Sequence, residues 1–212
     1  MRKNFFFVSV FACSGFINAQ TQHPTKTESS VSLGVKGGYS LSSMKLFDDK
    51  LDSRSYFYAG ILAEQPISHK FGVQAEVLYT QLGGKISYPI TIPNTQGSLG
   101  NMNYTYSLTQ IQVPISAKYY IIPNLSASAG MNIGFNISTK VEASSRITGT
   151  EKRNYDGVKT LNLFPFLGAE YKLSKKFFAD ARYNFNFIEI SKSNTLPMKA
   201  GFFQAGVGYR FK

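Results

Sequence analysis

The sequence predicts an all-β fold, an eight-stranded antiparallel up-and-down transmembrane β-barrel. Three observations carry that expectation. Hydrophobic residues recur with period two from Ser32 to the end of the chain. Short turns and long polar connections alternate strictly between the resulting segments. Over the 212 residues, aromatic content is 15% and Gly numbers 18, whereas charged residues make up 17%, below the roughly 25% of an average domain. That balance favours strands and excludes both disorder and a coiled coil. Beyond the N-terminal stretch there is no apolar run of about 20 residues, which excludes a helical membrane bundle. With His 2 and Cys 1, there is little material for a metal centre or a His-based catalytic site, so neither metal nor cofactor is expected.

The chain divides into three parts. Met1-Arg2-Lys3-Asn4 is a short basic start, Phe5 to Ile17 is apolar or small, and Ile17-Asn18-Ala19 offers a small residue before a cut. Residues 1–19 therefore read as a secretory signal peptide. Processing as a lipoprotein at Cys13 is the alternative. Cleavage after Ala19 leaves a mature chain without cysteine, and an exported protein without disulfides needs another source of stability, which a closed membrane barrel provides. It also lowers the formal charge from +11 to +9, since Arg2 and Lys3 are the only charges removed. Residues 20–31 are a polar, flexible leader, and 32–212 form the barrel. The basic residues are scattered, with no nucleic-acid motif, so nucleic acid is not expected as a partner.

Eight segments alternate. The apolar sets are Leu33, Val35, Tyr39 and Leu41; Phe57, Ala59, Ile61 and Ala63; Phe71 to Tyr79; and Ile111 to Tyr119. Then follow Leu125 to Ile137, Leu161 to Tyr171, Phe177 to Phe187, and Phe203 to Phe211. The connections Ile67-Ser68-His69-Lys70, Ile122-Pro123-Asn124 and Ser174-Lys175-Lys176 are tight turns. Between them lie long polar loops at Ser43 to Ser55, Ser87 to Asn103, Thr139 to Thr160 and Ser191 to Gly201. Up-and-down strands then place every long loop at one end, with both chain termini at the other, as in a barrel of the cell outer membrane.

Alternation alone does not say which face points outward, because a soluble eight-stranded carrier puts its apolar face inside. Two features favour the membrane. The polar face is rich in Gly, Ser and Asn and carries both signs of charge: Lys36, Glu64, Glu76, Lys118, Glu170, Lys172, Asp180, Arg182 and Arg210. A narrow lumen needs small residues and compensated charges, so these nine are expected to form a lumen network. On the apolar face, Phe71 and Tyr79, Phe177 and Phe185, and Phe203 and Phe211, with Tyr209 beside the last, stand near strand ends. Eight residues at roughly 3.3 Å each and a tilt near 40° give about 20 Å of height, a spacing that suits two aromatic girdles.

Gln204-Ala205-Gly206-Val207-Gly208-Tyr209-Arg210-Phe211 resembles the terminal assembly signal of outer-membrane barrels, with one Lys following the final Phe. That resemblance implies the barrel-assembly machinery as a partner through the last strand. Together with Gly72-Val73-Gln74-Ala75-Glu76-Val77-Leu78-Tyr79-Thr80-Gln81-Leu82-Gly83-Gly84-Lys85, Leu108-Thr109-Gln110-Ile111-Gln112-Val113-Pro114-Ile115 and Ser32 to Ser42, it makes the chain similar to the small outer-membrane β-barrels of Bacteroidota, the PorT-like barrels. The resemblance spans nearly all of the mature chain and implies architecture and membrane. PorT-like relatives are linked to protein secretion, but fold analogy does not determine function.

Pro114 within a strand marks a bulge or an unpaired backbone position. The apolar phase slips between Leu108 and Ile111, which suggests a bulge near Thr109-Gln110. His23 lies in the leader and His69 in a short turn, neither beside a strand-borne Ser or carboxylate, so an enzyme is not expected. The stretch Thr139 to Thr160 carries Lys140, Arg146, Lys152, Arg153 and Lys159 against Glu142, Glu151 and Asp156, net +2 from these eight. It is a solvated loop or a contact for lipopolysaccharide phosphate or a partner protein. The expected function is a membrane-structural or surface-interaction role through long external loops, with the lumen plugged by charged side chains. Outer-membrane lipid and lipopolysaccharide, and a surface or secretion partner, are the remaining partners. The alternative is a narrow pore or a secretion or transport accessory barrel.

Overall fold

The computed structural model describes residues 30–47, 49–91, 98–145, 149–192 and 197–211. The expected signal peptide, Cys13, and all of the leader but Ser30 and Val31 lie outside the described residues, as does Arg146. The ten strands are β1 (Ser32–Leu46), β2 (Asp49–Lys50), β3 (Asp52–Pro66), β4 (Phe71–Thr91), β5 (Ser98–Ile122), β6 (Leu125–Ser145), β7 (Gly149–Asn154), β8 (Leu161–Lys172), β9 (Phe177–Asn184) and β10 (Met198–Arg210). Eight of them form a closed antiparallel ring in the order β1-β3-β4-β5-β6-β8-β9-β10, and β10 pairs back onto β1 from Gly34↔Arg210 to Leu46↔Met198. Closure leaves no exposed sheet edge in the ring. β2 and β7 sit outside it, paired to β1 and β6.

Facing follows the period of two. Leu33, Val35, Leu41, Phe57, Ile61, Val73, Val77, Ile115, Leu167 and Val207 are all exposed, whereas Lys36, Glu64, Glu76, Thr80, Gln112, Asn132, Arg182 and Gln204 are buried inside the ring. The apolar face points outward and the polar face inward, the arrangement a bilayer requires. This overturns the soluble-carrier alternative.

The long connections differ from expectation. β4 and β5 stay paired from Phe71↔Tyr119 to Thr91↔Ser98, and β5 and β6 continue to Asn103↔Ser144. Most of Ser87 to Asn103 and of Thr139 to Thr160 is therefore hairpin, and the polar composition read as loop belongs to strands that project beyond the apolar belt. Once outside the bilayer a strand needs no apolar outer face, so polarity there says nothing about pairing.

Both irregularities on β5 have structural accounts. Pro114 pairs with Asn132 of β6, but the β4–β5 ladder skips from Ala75↔Ile115 to Leu78↔Gln112 without a change of register. The proline thus marks an unpaired position, because it has no N–H to donate. The register does shift between Thr109 and Gln110, where β6 goes from Ser138 to Asn136, so the extra residue is Ile137 on the partner strand. The phase of β5 itself never slips: Leu108, Gln110 and Gln112 are all buried on the inner face.

Candidate functional site in the barrel lumen

Even-numbered, inward positions on seven strands place the charged residues. Near the short-turn end the lumen holds two clusters. In the first, Lys36 Nζ lies 2.5 Å from Asp180 and 3.5 Å from Glu76. Arg182 Nη2 donates to both Glu76 oxygens at 2.6 and 2.8 Å. In the second, Lys118 Nζ donates to Glu64 at 3.0 Å and Glu170 at 2.9 Å, and Arg210 donates to the same two carboxylates. Gln74 joins the clusters: its amide nitrogen donates to Glu76 at 2.6 Å and its oxygen accepts from Lys118 at 3.0 Å. The Tyr120 hydroxyl donates to Glu64 at 2.6 Å. Four cations thus meet four anions, and each ion has at least two partners of opposite sign or one shared doubly. Such compensation is what a desolvated ion requires. The Arg182 guanidinium also lies 5.1 Å from the Phe166 ring centroid, and that of Arg210 4.2 Å from Phe178, distances suited to cation–π attraction. The cavity enclosed by these groups is about 10 Å³.

Eight of the nine charged residues singled out from sequence are therefore brought together, and Lys172 is not. As the last residue of β8 it reaches the rim, where its ammonium sits 5.5 Å from the Tyr120 ring centroid. Its contact with the network is indirect, through the tyrosine that donates to Glu64.

Above the charges lies a layer of amides. Asn132 Nδ2 donates to Gln112 at 3.1 Å and to Asn184 at 3.0 Å; Gln112 donates to Gln110 at 3.0 Å, and Gln110 to Asn136 at 2.7 Å. Gln204 also donates to Gln112 at 3.3 Å. Sequence reasoning placed Asn132, Asn184, Asn136, Gln112 and Gln204 on the polar face but did not connect them. Spacing along one strand carries no information about which residue meets which across a lumen.

A third layer is apolar. Met44, Leu51, Leu82, Leu108, Phe164, Ile190, Met198, Ala200 and Phe202 form a fully buried cluster toward the long-hairpin end. The Phe164 and Phe202 rings meet edge-on at 5.1 Å. On the outer face of the same strand segments stand Lys45, Lys85, Thr109 and Lys199. The polarity of the wall therefore inverts along its length. Beside lipid the outer face is apolar; beyond it the outer face turns polar while Met44, Leu82, Leu108 and Met198 pack inside, as in a protein surrounded by water. This inversion is what the sequence displays as a phase slip at Leu108.

Of the residues expected in the aromatic girdles, Phe71, Tyr79, Phe177, Phe203 and Phe211 are exposed on the outer face. Tyr209 is half-buried between Phe177 and Phe211. Phe185 departs from expectation: β9 ends at Asn184, and Phe185 lies half-buried beyond it, stacked on Phe187 at 5.1 Å and 7°.

Residues 18–192 match the family model described as the outer membrane protein beta-barrel domain. Among solved structures, the chain is similar to the attachment invasion locus protein Ail of Yersinia pestis, solved with the heparin analogue sucrose octasulfate. The identity is 18% and the TM-score 0.49, over 85% of this chain and 99% of that one. It is also similar to Neisserial surface protein A, at 17% identity and TM-score 0.48 over 86% and 99% of the two chains. The outer membrane protease OmpT of Escherichia coli aligns at 9% identity and TM-score 0.38, over 91% and 100%. No curated protein sequence matches the chain.

Proposed function

Since the chain belongs to the outer membrane protein beta-barrel domain family, and so resides in the cell outer membrane, we propose that it serves there as a non-enzymatic barrel with a closed lumen, acting through the hairpins that project from one end. The observation that carries this reading is the lumen's filling by three successive layers: compensated ions, then amides, then a buried apolar cluster. An eight-stranded barrel has an interior that side chains alone can fill, and the space of about 10 Å³ among the charges is on the order of one water molecule. Non-enzymatic character is supported by the lumen acids, all engaged by cations, and by His69, which lies in an exposed turn. The likeness to PorT-like barrels of Bacteroidota fits the same frame, with the last strand read by the assembly machinery, residues 1–19 removed on export and 20–31 left as a leader. The long hairpins, placed outside the cell, would meet lipopolysaccharide or a surface partner.

Conductance tests this. The purified protein in a planar bilayer is expected to show no stable channel. A stable, large conductance from the unmodified protein would overturn the closed lumen and promote the pore or transport-accessory reading.

A further inference from the structure

Two of the short turns are the same device. Ile67-Ser68-His69-Lys70-Phe71 and Leu173-Ser174-Lys175-Lys176-Phe177 share the order apolar, Ser, basic or His, Lys, Phe. Their hydrogen bonds also match. Ile67 and Ser68 N–H both donate to the Phe71 carbonyl, and Leu173 and Ser174 N–H both donate to that of Phe177. Ser68 Oγ accepts from the Lys70 and Phe71 N–H groups at 3.3 and 3.0 Å, and Ser174 Oγ from those of Lys176 and Phe177 at 3.2 and 3.0 Å. The Lys70 and Lys176 carbonyls accept from Tyr120 and Arg210 N–H, which ties each turn to the next strand. Each phenylalanine then meets an outer-face tyrosine of that strand, Phe71 with Tyr119 at 5.2 Å and Phe177 with Tyr209 at 5.1 Å.

Turn chemistry accounts for the serine and the aromatic girdle for the phenylalanine, but neither requires the lysine. Among the described residues neither Lys70 nor Lys176 has an acidic partner, and Lys176 Nζ rests 5.7 Å from the Tyr209 ring centroid, on the outer face of the wall. Lys172 and Lys175 add to the positive charge of this end. Its described acids, Glu64 and Glu170, face inward and are engaged by Lys118 and Arg210. Beside the lysines, Ile67 and Leu173 are 66% and 60% exposed, so apolar tips and cations share one rim. A surface that pairs apolar tips with unpartnered cations suits the boundary between acyl chains and headgroups.

We propose that these two turns are a duplicated binding site for anionic phospholipid. Lys70 and Lys176 each hold a headgroup phosphate of the leaflet that surrounds the short-turn end, while Phe71–Tyr119 and Phe177–Tyr209 seat the glycerol and upper acyl region. The Ile122-Pro123-Asn124 turn lacks the lysine and is not part of the site.

The test uses the full chain refolded into nanodiscs of phosphatidylglycerol and phosphatidylcholine, with lipids retained on extraction counted by native mass spectrometry. The protein is expected to retain phosphatidylglycerol preferentially, and to lose that preference as salt rises. The double variant Lys70→Gln/Lys176→Gln is expected to lower it roughly five-fold per lysine. Lys70→Arg/Lys176→Arg is expected to keep it. Heat-modifiable gel mobility identifies folded protein. An unchanged preference in the folded Gln variant would overturn the proposal. If that variant does not fold, a preference of the unmodified protein that is absent, or indifferent to salt, overturns it equally.

Discussion

Glu76 receives Arg182 through both oxygens and has Lys36 at 3.5 Å, with its side chain 2% exposed. Removing its carboxylate leaves two cations facing Asp180 alone in a buried space. Glu76→Ala is therefore expected to destabilise the barrel by about 3–5 kcal/mol, read as a lower urea midpoint for unfolding from lipid vesicles. Lys172→Gln, which breaks no ion pair, should leave that midpoint nearly unchanged. Gly208 presents a different constraint. A Cβ there would run into the ring of the fully buried Phe178, the same ring on which Arg210 stacks. Gly208→Ala is expected to cost about 1–3 kcal/mol through overpacking, measured in the same titration. In the sequence this glycine reads as part of a terminal assembly signal; its packing role depends on a residue thirty positions earlier.

On β6 the two faces separate cleanly. Ala129 is exposed on the outer face midway along the apolar belt, so Ala129→Arg is expected to block insertion at a cost of about 2–4 kcal/mol, seen as loss of the heat-modifiable band. Asn132 points inward. Periodicity alone makes Asn132→Ser a mild change on a polar face. The structure changes that expectation, because Asn132 is 0% exposed and donates to both Gln112 and Asn184. Losing both bonds should cost about 1–3 kcal/mol, and a midpoint equal to that of the parent protein would count against the amide layer as a structural element. The β6–β7 hairpin also carries the topology. A tag inserted at Gly149–Asn154 should be labelled on intact cells, and one in Ser174-Lys175-Lys176 should not. The reverse pattern would invert the orientation.

For the molecule as a whole, closure and filling act together. The ring leaves no ladder edge open, and three layers of side chains occupy its axis. The charged layer is neutral in itself, four cations against four anions. Toward the long-hairpin end the strands carry polar residues such as Lys45, Lys85 and Lys199 on their outer face, and the barrel extends beyond the bilayer as a structure built for water. The projecting hairpins β4–β5 and β6–β7 continue that structure and supply the surface proposed for contacts outside the cell.

The number of strands in the ring, their up-and-down order, the outward apolar face and the inward charges at Lys36, Glu64, Glu76, Lys118, Glu170, Asp180, Arg182 and Arg210 were all legible in the sequence. Each follows from a period of two combined with connection length, and both are local properties of the chain. The matching turns at Ser68 and Ser174 were also on display in the sequence, though their shared geometry was not. What the tertiary structure alone decided is everything that crosses the lumen or leaves the membrane. Gln74 linking two ion clusters, Lys172 stranded at the rim, Phe178 lodged against Gly208 and Asn132 binding two amides are meetings between strands far apart in the chain, and alternation says only that each residue points inward. The reversal of polarity at Leu108 needed the structure for another reason. Whether an apolar side chain belongs inside or outside depends on whether lipid or water surrounds the wall at that height, and height emerges only once the strands are aligned around the ring.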